Sequence, residues 1–419
     1  GKIGGTFPLI RKYTCQNGVR IILEEIPTVR SVAIGIWIKT GSRHETKELN
    51  GISHFLDHMF FKGTEKRTSQ EIAEAFDSIG GQVNAFTSKE YTCYYAKVLD
   101  NHAPYALEVL SDMFFHSRFD PEEVEKEKKV VLEEIKMYED TPDDIVHDLL
   151  NKAIFENHPL GYPILGTEET LESFTQDTLR EYMERTYTPE NVVISIAGNV
   201  KDSFISEVEK YFGSYERKSQ ISTKADPTFH KNSIVRRKET EQAHLCLGFE
   251  GIPIGDRFIY PLIVANNILG GSMSSRLFQD VREKRGLAYS IFSYHTSYED
   301  TGTVTIYGGT GANQLEDLFS TIWKTIDVLK ENGITEKELK NSKEQLKGNL
   351  MLSLESTNSR MSRNGKNELI LKEHKSLDEM VQLIDAVTKD EVNDIFQRIF
   401  NSSYSVSLIS PDGKLPSNL

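Results

Sequence analysis

Two histidines four residues apart, His54 and His58, with an acid, Asp57, directly before the second, are the side chains of this sequence best placed for metal chemistry. On a helix, residues i and i+4 stand one above the other, so both imidazoles can reach one ion. Asp57 is three residues on from His54 and falls near the same edge. A solvated histidine pair on an amphipathic helix has the same spacing, and the pair alone leaves both readings open. A catalytic zinc takes three protein ligands and keeps one position for water, so a third ligand has to come from elsewhere. Residues 120–135 are a good donor segment: Asp120 reads as an N-cap, Pro121 as the first helical residue and Glu123 as the acid of a capping box. In that segment Glu134 follows the apolar run Val130-Val131-Leu132 and is expected to point inward with it. Glu127 lies two turns back on the same face. A buried acid needs a partner, which a cation would provide.

The elements that would carry these residues occur twice. A helix pattern over 175–187 leads into a strand pattern over 194–199, and the same order returns over 388–400 and 404–410. The offset of 213 residues holds from Thr175 to Thr388 and from Ala197 to Ser410. Each copy opens on a threonine suited to an N-cap, followed by apolar residues at helical spacing. Upstream, the strand-like 32–38 has a counterpart in 244–249, each followed by a helix candidate, 51–61 and 260–269. Strand-rich sequence then follows in both halves, 82–98 and 288–308, with two long helices after it. A repeat of this length implies an α+β protein of two tandem homologous domains, each a mostly antiparallel sheet packed with helices. The expected spans are 9–213 and 240–419, joined by a polar linker at 214–239. Residues 1–8 match nothing in the second half and are set aside from the fold.

The 419 residues are ample for two such cores, and 38% hydrophobic with 27% charged residues is ordinary for a globular protein. With 49 basic and 63 acidic residues the net charge is -14, which argues against nucleic-acid binding. No apolar run approaches the length of a membrane span, and no signal peptide is recognisable at the N-terminus, so no membrane association is expected. The three cysteines are too few for a disulfide framework and fit a reducing compartment.

The segment 51–64 containing His54-Phe-Leu-Asp-His58, the segment Gly80-Gly-Gln-Val-Asn-Ala-Phe-Thr87, and Val130-Val-Leu-Glu-Glu-Ile135 together resemble the inverzincin class of zinc peptidases. More narrowly, the chain is similar over nearly its whole length to the pitrilysin or insulinase-type family, in the branch of the mitochondrial processing peptidase and its bacterial relatives. The resemblance implies one Zn²⁺ per chain, ligated by His54, His58 and Glu134, with Glu127 supporting the ligands from behind. It implies that position 57 is the general base, which takes the water's proton and returns it to the leaving amine. Arg282 and Tyr289 match the family's Arg…Tyr pair, which contacts substrate and the tetrahedral intermediate; the surrounding sequence reads as a helix over 273–284 and a strand over 287–292. Asn84, Ala85 and Phe86 match the sheet edge on which an extended peptide adds a strand.

The family arranges four such domains as a clamshell, of which this chain supplies half. The resemblance therefore implies a homodimer in which Arg282 and Tyr289 act in trans. Substrates would be short or unfolded peptides, and the acidic surplus suits basic ones. A bacterial cytoplasm is the expected location, with an organellar matrix as the alternative. One position departs from the family pattern, since the family has Glu where this chain has Asp57. Losing a methylene withdraws the carboxylate by about 1.5 Å, one carbon–carbon bond. A misplacement near 1 Å can cost on the order of 100-fold in rate. Asp57 is either a change introduced to trap substrate, which the intact ligand set favours, or the mark of a naturally weak enzyme. The alternative function is a catalytically inactive structural or peptide-binding member of the family.

Overall fold

The computed structural model describes residues 10–219 and 225–419. The tail 1–8 and part of the expected linker, 220–224, lie outside the described residues.

In chain order the elements are β1 (Ile10–Thr14), β2 (Arg20–Glu25), β3 (Ser31–Ile38), α1 (Ile52–Met59), α2 (Ser69–Asp77), β4 (Gln82–Thr87), β5 (Thr92–Leu99), α3 (Ala103–His116), α4 (Pro121–Glu139) and α5 (Pro142–Phe155). They continue with α6 (Glu168–Ser173), α7 (Gln176–Thr186), β6 (Val192–Gly198), α8 (Phe204–Phe212), β7 (Ser233–Arg237), β8 (Gln242–Glu250) and α9 (Ile259–Gly270). The last are β9 (Ala288–Ser297), β10 (Gly302–Gly311), α10 (Leu315–Asn332), α11 (Glu336–Ser353), α12 (Thr357–Lys366), α13 (Leu377–Asp385), α14 (Lys389–Phe400) and β11 (Tyr404–Ser410).

The first sheet has the order β1-β2-β6-β3-β5-β4 and the second β7-β11-β8-β10-β9. Each is antiparallel but for one parallel pair, β2 with β6 and β7 with β11. The repeat is therefore structural: α7 and β6 correspond to α14 and β11. The expected threonine caps are present, with Thr175 Oγ1 accepting from Thr178 N at 3.2 Å and Thr388 Oγ1 from Glu391 N at 3.1 Å. Strands β3, β6 and β8 are buried along most of their length, which explains their near-continuous apolar sequence.

Both faces of the first sheet are covered. One carries a large core that includes Ile34, Ile36, Phe55, Leu56, Phe60, Phe114 and Phe119. The other holds a smaller cluster in which Trp37 and Ala33 meet Met361 and Leu369, from α12 and the turn after it. Gly35 permits this approach, because a Cβ there would lie 2.4 Å from Met361 Sδ. The second sheet repeats the plan. Its main core includes Leu245, Phe249, Leu269 and Phe396, and its other face packs Cys246, Tyr307 and Ile409 against Val146, Leu150 and Ile154 of α5.

The compact units accordingly differ from the contiguous spans read from the sequence. Among the described residues, unit 1 comprises 10–135, 162–219 and 353–374, and unit 2 comprises 136–161, 225–352 and 375–419. Each sheet takes the helix for its second face from the other half of the chain. The expected linker is also shorter than 214–239, because Ser233–Arg237 forms β7 and joins the second sheet. All three cysteines are buried free thiols. Among the described residues, no helix is long and apolar enough to cross a membrane.

Candidate metal centre

Helix α1 is only eight residues long, too short to persist alone, and its tertiary packing holds it. Ile52, Phe55, Leu56 and Met59 are all buried in the first core, each worth about 1.5–3 kcal/mol of apolar transfer. Its N-cap, Gly51, has φ of +94° and sits so close to the backbone that a Cβ would meet Gly166 Cα at 2.6 Å. Glycine has no side chain to cap the helix, and Glu45 does so instead. This buried carboxylate accepts from Gly51 N at 2.8 Å, Ser53 N at 2.9 Å and Asn50 Nδ2 at 3.1 Å. A negative charge at a helix N-terminus is favourable, so Glu45 satisfies two backbone donors and the helix dipole together.

The anchored turn carries the buried His54 and the half-buried His58, whose ring centroids are 4.6 Å apart. Glu134 of α4 meets both: its Oε1 lies 3.6 Å from His54 Nε2 and 3.4 Å from His58 Nε2. One ligand atom from each of the three residues lies within 4.8 Å of the others, and among the described residues no other group of three meets that test. Zinc bonds of about 2.0–2.1 Å in tetrahedral array place ligand atoms roughly 3.4 Å apart, so the donor set fits the ion in both chemistry and spacing. Glu134 is half-buried, its side chain 44% exposed, and lies at the edge of the inward face of α4, turned towards the two histidines. Val130 is itself exposed, while Val131 is buried, so the segment's inward face is the one that carries Glu127.

Glu127, 5% exposed, places its Oε1 2.7 Å from His58 Nδ1 and its Oε2 3.4 Å from Lys62 Nζ. Nδ1–H donates to this carboxylate, and with a metal bound Nε2 would be left free to ligate it. Burial opposes charging of His58, yet Glu127 and Glu134 push it up to about 10. Both histidines in turn hold Glu134 well below the usual carboxylate range. The cluster thus favours a positive charge at its centre. His54 Nδ1 is buried and has no hydrogen-bond partner, so the two imidazoles are not equivalently supported.

Asp57 is 6% exposed, and burial raises its carboxyl above the usual range against the opposing influence of His54, Thr87 and His58. Its Oδ2 accepts from Thr87 Oγ1 at 2.7 Å. Thr87 ends β4, the outermost strand of the first sheet. Along that strand Asn84 is exposed, Ala85 packs towards the core that carries α1, and Phe86 packs against Trp37 on the opposite face. Glu45, Lys62 and Thr87 carry no assignment from sequence. For Glu45 a signal exists: a helix opening on a glycine, with no polar side chain at its own N-cap, needs an acceptor from a neighbouring loop.

Arg282 and Tyr289 belong to unit 2. The region expected as a helix over 273–284 is a turn followed by a short wide helix, Phe278–Glu283, which leads to β9. Arg282 Cζ lies 4.8 Å from the ring centroids of both Phe278 and Tyr289, so the guanidinium is stacked between aromatics. Tyr289 is 79% exposed and presents its phenol outward. Helix α9, the counterpart of α1, contains no histidine.

A zinc-type ligand set on one half of a duplicated α+β architecture defines a class of two-domain protein with a single candidate metal centre among the described residues. The comparison with known proteins gives the family: residues 20–168 match the insulinase (peptidase family M16) domain and residues 173–346 the M16 inactive domain. The chain belongs to the M16 peptidase family, with an active-type domain followed by an inactive-type one. It is 68% identical over 98% of its length to the whole of an uncharacterized zinc protease, YmxG, of Bacillus subtilis. It is 40% identical to one from Streptomyces coelicolor, covering 96% of this chain and 90% of that protein. The fold matches a protease from Helicobacter pylori with a TM-score of 0.91 at 21% identity, covering 97% of this chain and 100% of that one.

Proposed function

We propose that the protein is a zinc-dependent endopeptidase of short or unfolded peptides, its turnover lowered by aspartate at position 57. The observation that carries the reading is the convergence of one ligand atom each from His54, His58 and Glu134 within 4.8 Å, with both Nε2 atoms facing Glu134 Oε1. When bound there, zinc supplies Lewis acidity to the scissile carbonyl and acidifies a water. His54, His58 and Glu134 hold the ion, and Glu127, backed by Lys62, keeps His58 in the ligating tautomer. Asp57 accepts the attacking water's proton and delivers it to the departing amine nitrogen.

The free edge of β4 supports an extended peptide through backbone hydrogen bonds, with Asn84 and Ala85 lining it and Phe86 buttressing the strand from behind. Arg282 and Tyr289 donate to the oxyanion from the partner subunit of a homodimer, inside a closed chamber. The exposed Tyr289 phenol and the stacked Arg282 are suited to that task. The net charge of -14 favours basic peptides.

A second reading, a zinc-bearing member that binds peptides with little or no turnover, is favoured by Asp57 itself, whose carboxylate is one methylene shorter than the family's glutamate. Hydrolysis of a quenched fluorescent peptide by the zinc-loaded protein decides between them. Slow hydrolysis abolished by chelation supports the peptidase. Zinc bound at one per chain with no hydrolysis, in either the parent or Asp57→Glu, supports the binding protein.

A further inference from the structure

We propose that Thr87 is a positioning residue: its hydroxyl ties the edge strand β4 to the Asp57 carboxylate and fixes the orientation of that carboxylate. The inference rests on the peptidase reading of the site and deepens it.

Thr87 occupies two frameworks at once. Its backbone closes β4, in register with Thr92 of β5, at the end of the strand order. Its side chain reaches α1, donating to Asp57 Oδ2 at 2.7 Å and lying 3.5 Å from the carbonyl oxygen of Ser53. A hydroxyl has one proton to give, and the ionised carboxylate is the stronger acceptor of the two. One lone pair of Oδ2 is thereby engaged and Oδ1 is the freer oxygen, so the proton that leaves the attacking water forms its new O–H bond at Oδ1. The carboxylate becomes a carboxylic acid whose Oδ2, now the carbonyl oxygen, still accepts from Thr87. When Oδ1 passes the proton to the amine nitrogen of the breaking peptide bond, the carboxylate is restored. Thr87 neither gains nor loses a proton in the cycle.

The same bond is a mechanical link. A peptide that adds to the free edge of β4 pairs with the strand whose last side chain grips the base, so docking and alignment of the carboxylate share one element. Asp57 depends on such a grip, because a short carboxylate held off its productive position by about 1 Å loses on the order of 100-fold in rate.

The test compares zinc-loaded parent, Thr87→Val, which keeps the shape and removes the donor, and Thr87→Ser, which keeps the donor. Thr87→Val is expected to lower kcat about 10-fold with KM and zinc content unchanged, and Thr87→Ser to retain at least half of the parental kcat. Crystal structures of the zinc-loaded forms supply a readout that needs no activity: Asp57 should keep its orientation in the serine variant and rotate in the valine variant. A valine variant with parental kcat, an equal loss in both variants, or an Asp57 that stays in place in both structures overturns the assignment. If parent and Asp57→Glu bind zinc but hydrolyse nothing, the peptidase reading fails, and the structures alone decide the Thr87 tether.

Discussion

Glu127 Oε1 lies 2.7 Å from His58 Nδ1, while His54 Nδ1, also buried, has no partner. The ligand turn is therefore held asymmetrically, and removing the one carboxylate that fixes a tautomer should be felt at the metal. Glu127→Gln is expected to weaken zinc binding 10–100-fold, the usual effect of losing an outer carboxylate partner, with little change in fold. Competition with a chromogenic chelator measures it, and an unchanged affinity would show that Glu127 serves packing alone.

Asp57→Glu restores the longer carboxylate of the family pattern. It is expected to raise kcat 10–100-fold and leave zinc stoichiometry as it was, because Asp57 is not among the three converging ligands. Peptide hydrolysis at matched zinc content checks this, and a fall in turnover would show that the site has adapted to aspartate.

Glu45 is expected to matter although it touches no ligand. It caps the N-terminus of α1 through Gly51 N and Ser53 N, and a buried acceptor lost from two backbone donors leaves both unpaired. Glu45→Ala should destabilise unit 1 by about 2–4 kcal/mol and weaken zinc binding with it. Denaturant unfolding with and without zinc gives both quantities. A loss below about 0.5 kcal/mol would mean that the core residues of α1 hold the turn unaided.

Unit 2 should carry a pH dependence of its own. His147 on α5 is packed beside Tyr294 and Cys246, its Nδ1 lying 2.6 Å from the Tyr294 hydroxyl and 3.7 Å from Cys246 Sγ. Burial lowers it to about 4, with Asp143 pulling the other way and His244 adding to the drop. A histidine whose folded value lies below its unfolded one binds more protons when unfolded. Its stabilising contribution is therefore complete above about pH 6.5 and is lost as pH falls from 6.5 towards 4. The loss is on the order of 2 kcal/mol. Urea unfolding of the metal-free chain at pH 7.5, 6 and 4.5 should show it, and His147→Gln should flatten it. Equal slopes in the two proteins would assign the pH dependence to other groups.

Much of the centre is legible in the sequence, because helical spacing converts directly into proximity. His54 and His58 had to share a face, and so did Glu127 and Glu134. The duplicated order of α7–β6 and α14–β11 was legible for a similar reason, since threonine caps and apolar periodicity act within one element. The exchange of α5 and α12 between units was not. Both helices are apolar enough to cover a sheet, and periodicity cannot say which sheet they cover. Strand β7 was missed because its five residues alternate between exposed and half-buried and pair at a sheet edge. Thr87 and Glu45 were missed because each acts across a distance in sequence, 30 residues to Asp57 and six to eight residues to the backbone of α1.

Diffraction from zinc-loaded crystals, recorded on both sides of the zinc absorption edge, tests the central claim most directly. One anomalous peak per chain is expected, about 2.0–2.2 Å from His54 Nε2, His58 Nε2 and a Glu134 carboxylate oxygen. A peak held by other side chains, or none at these three when zinc is in excess, would contradict the account.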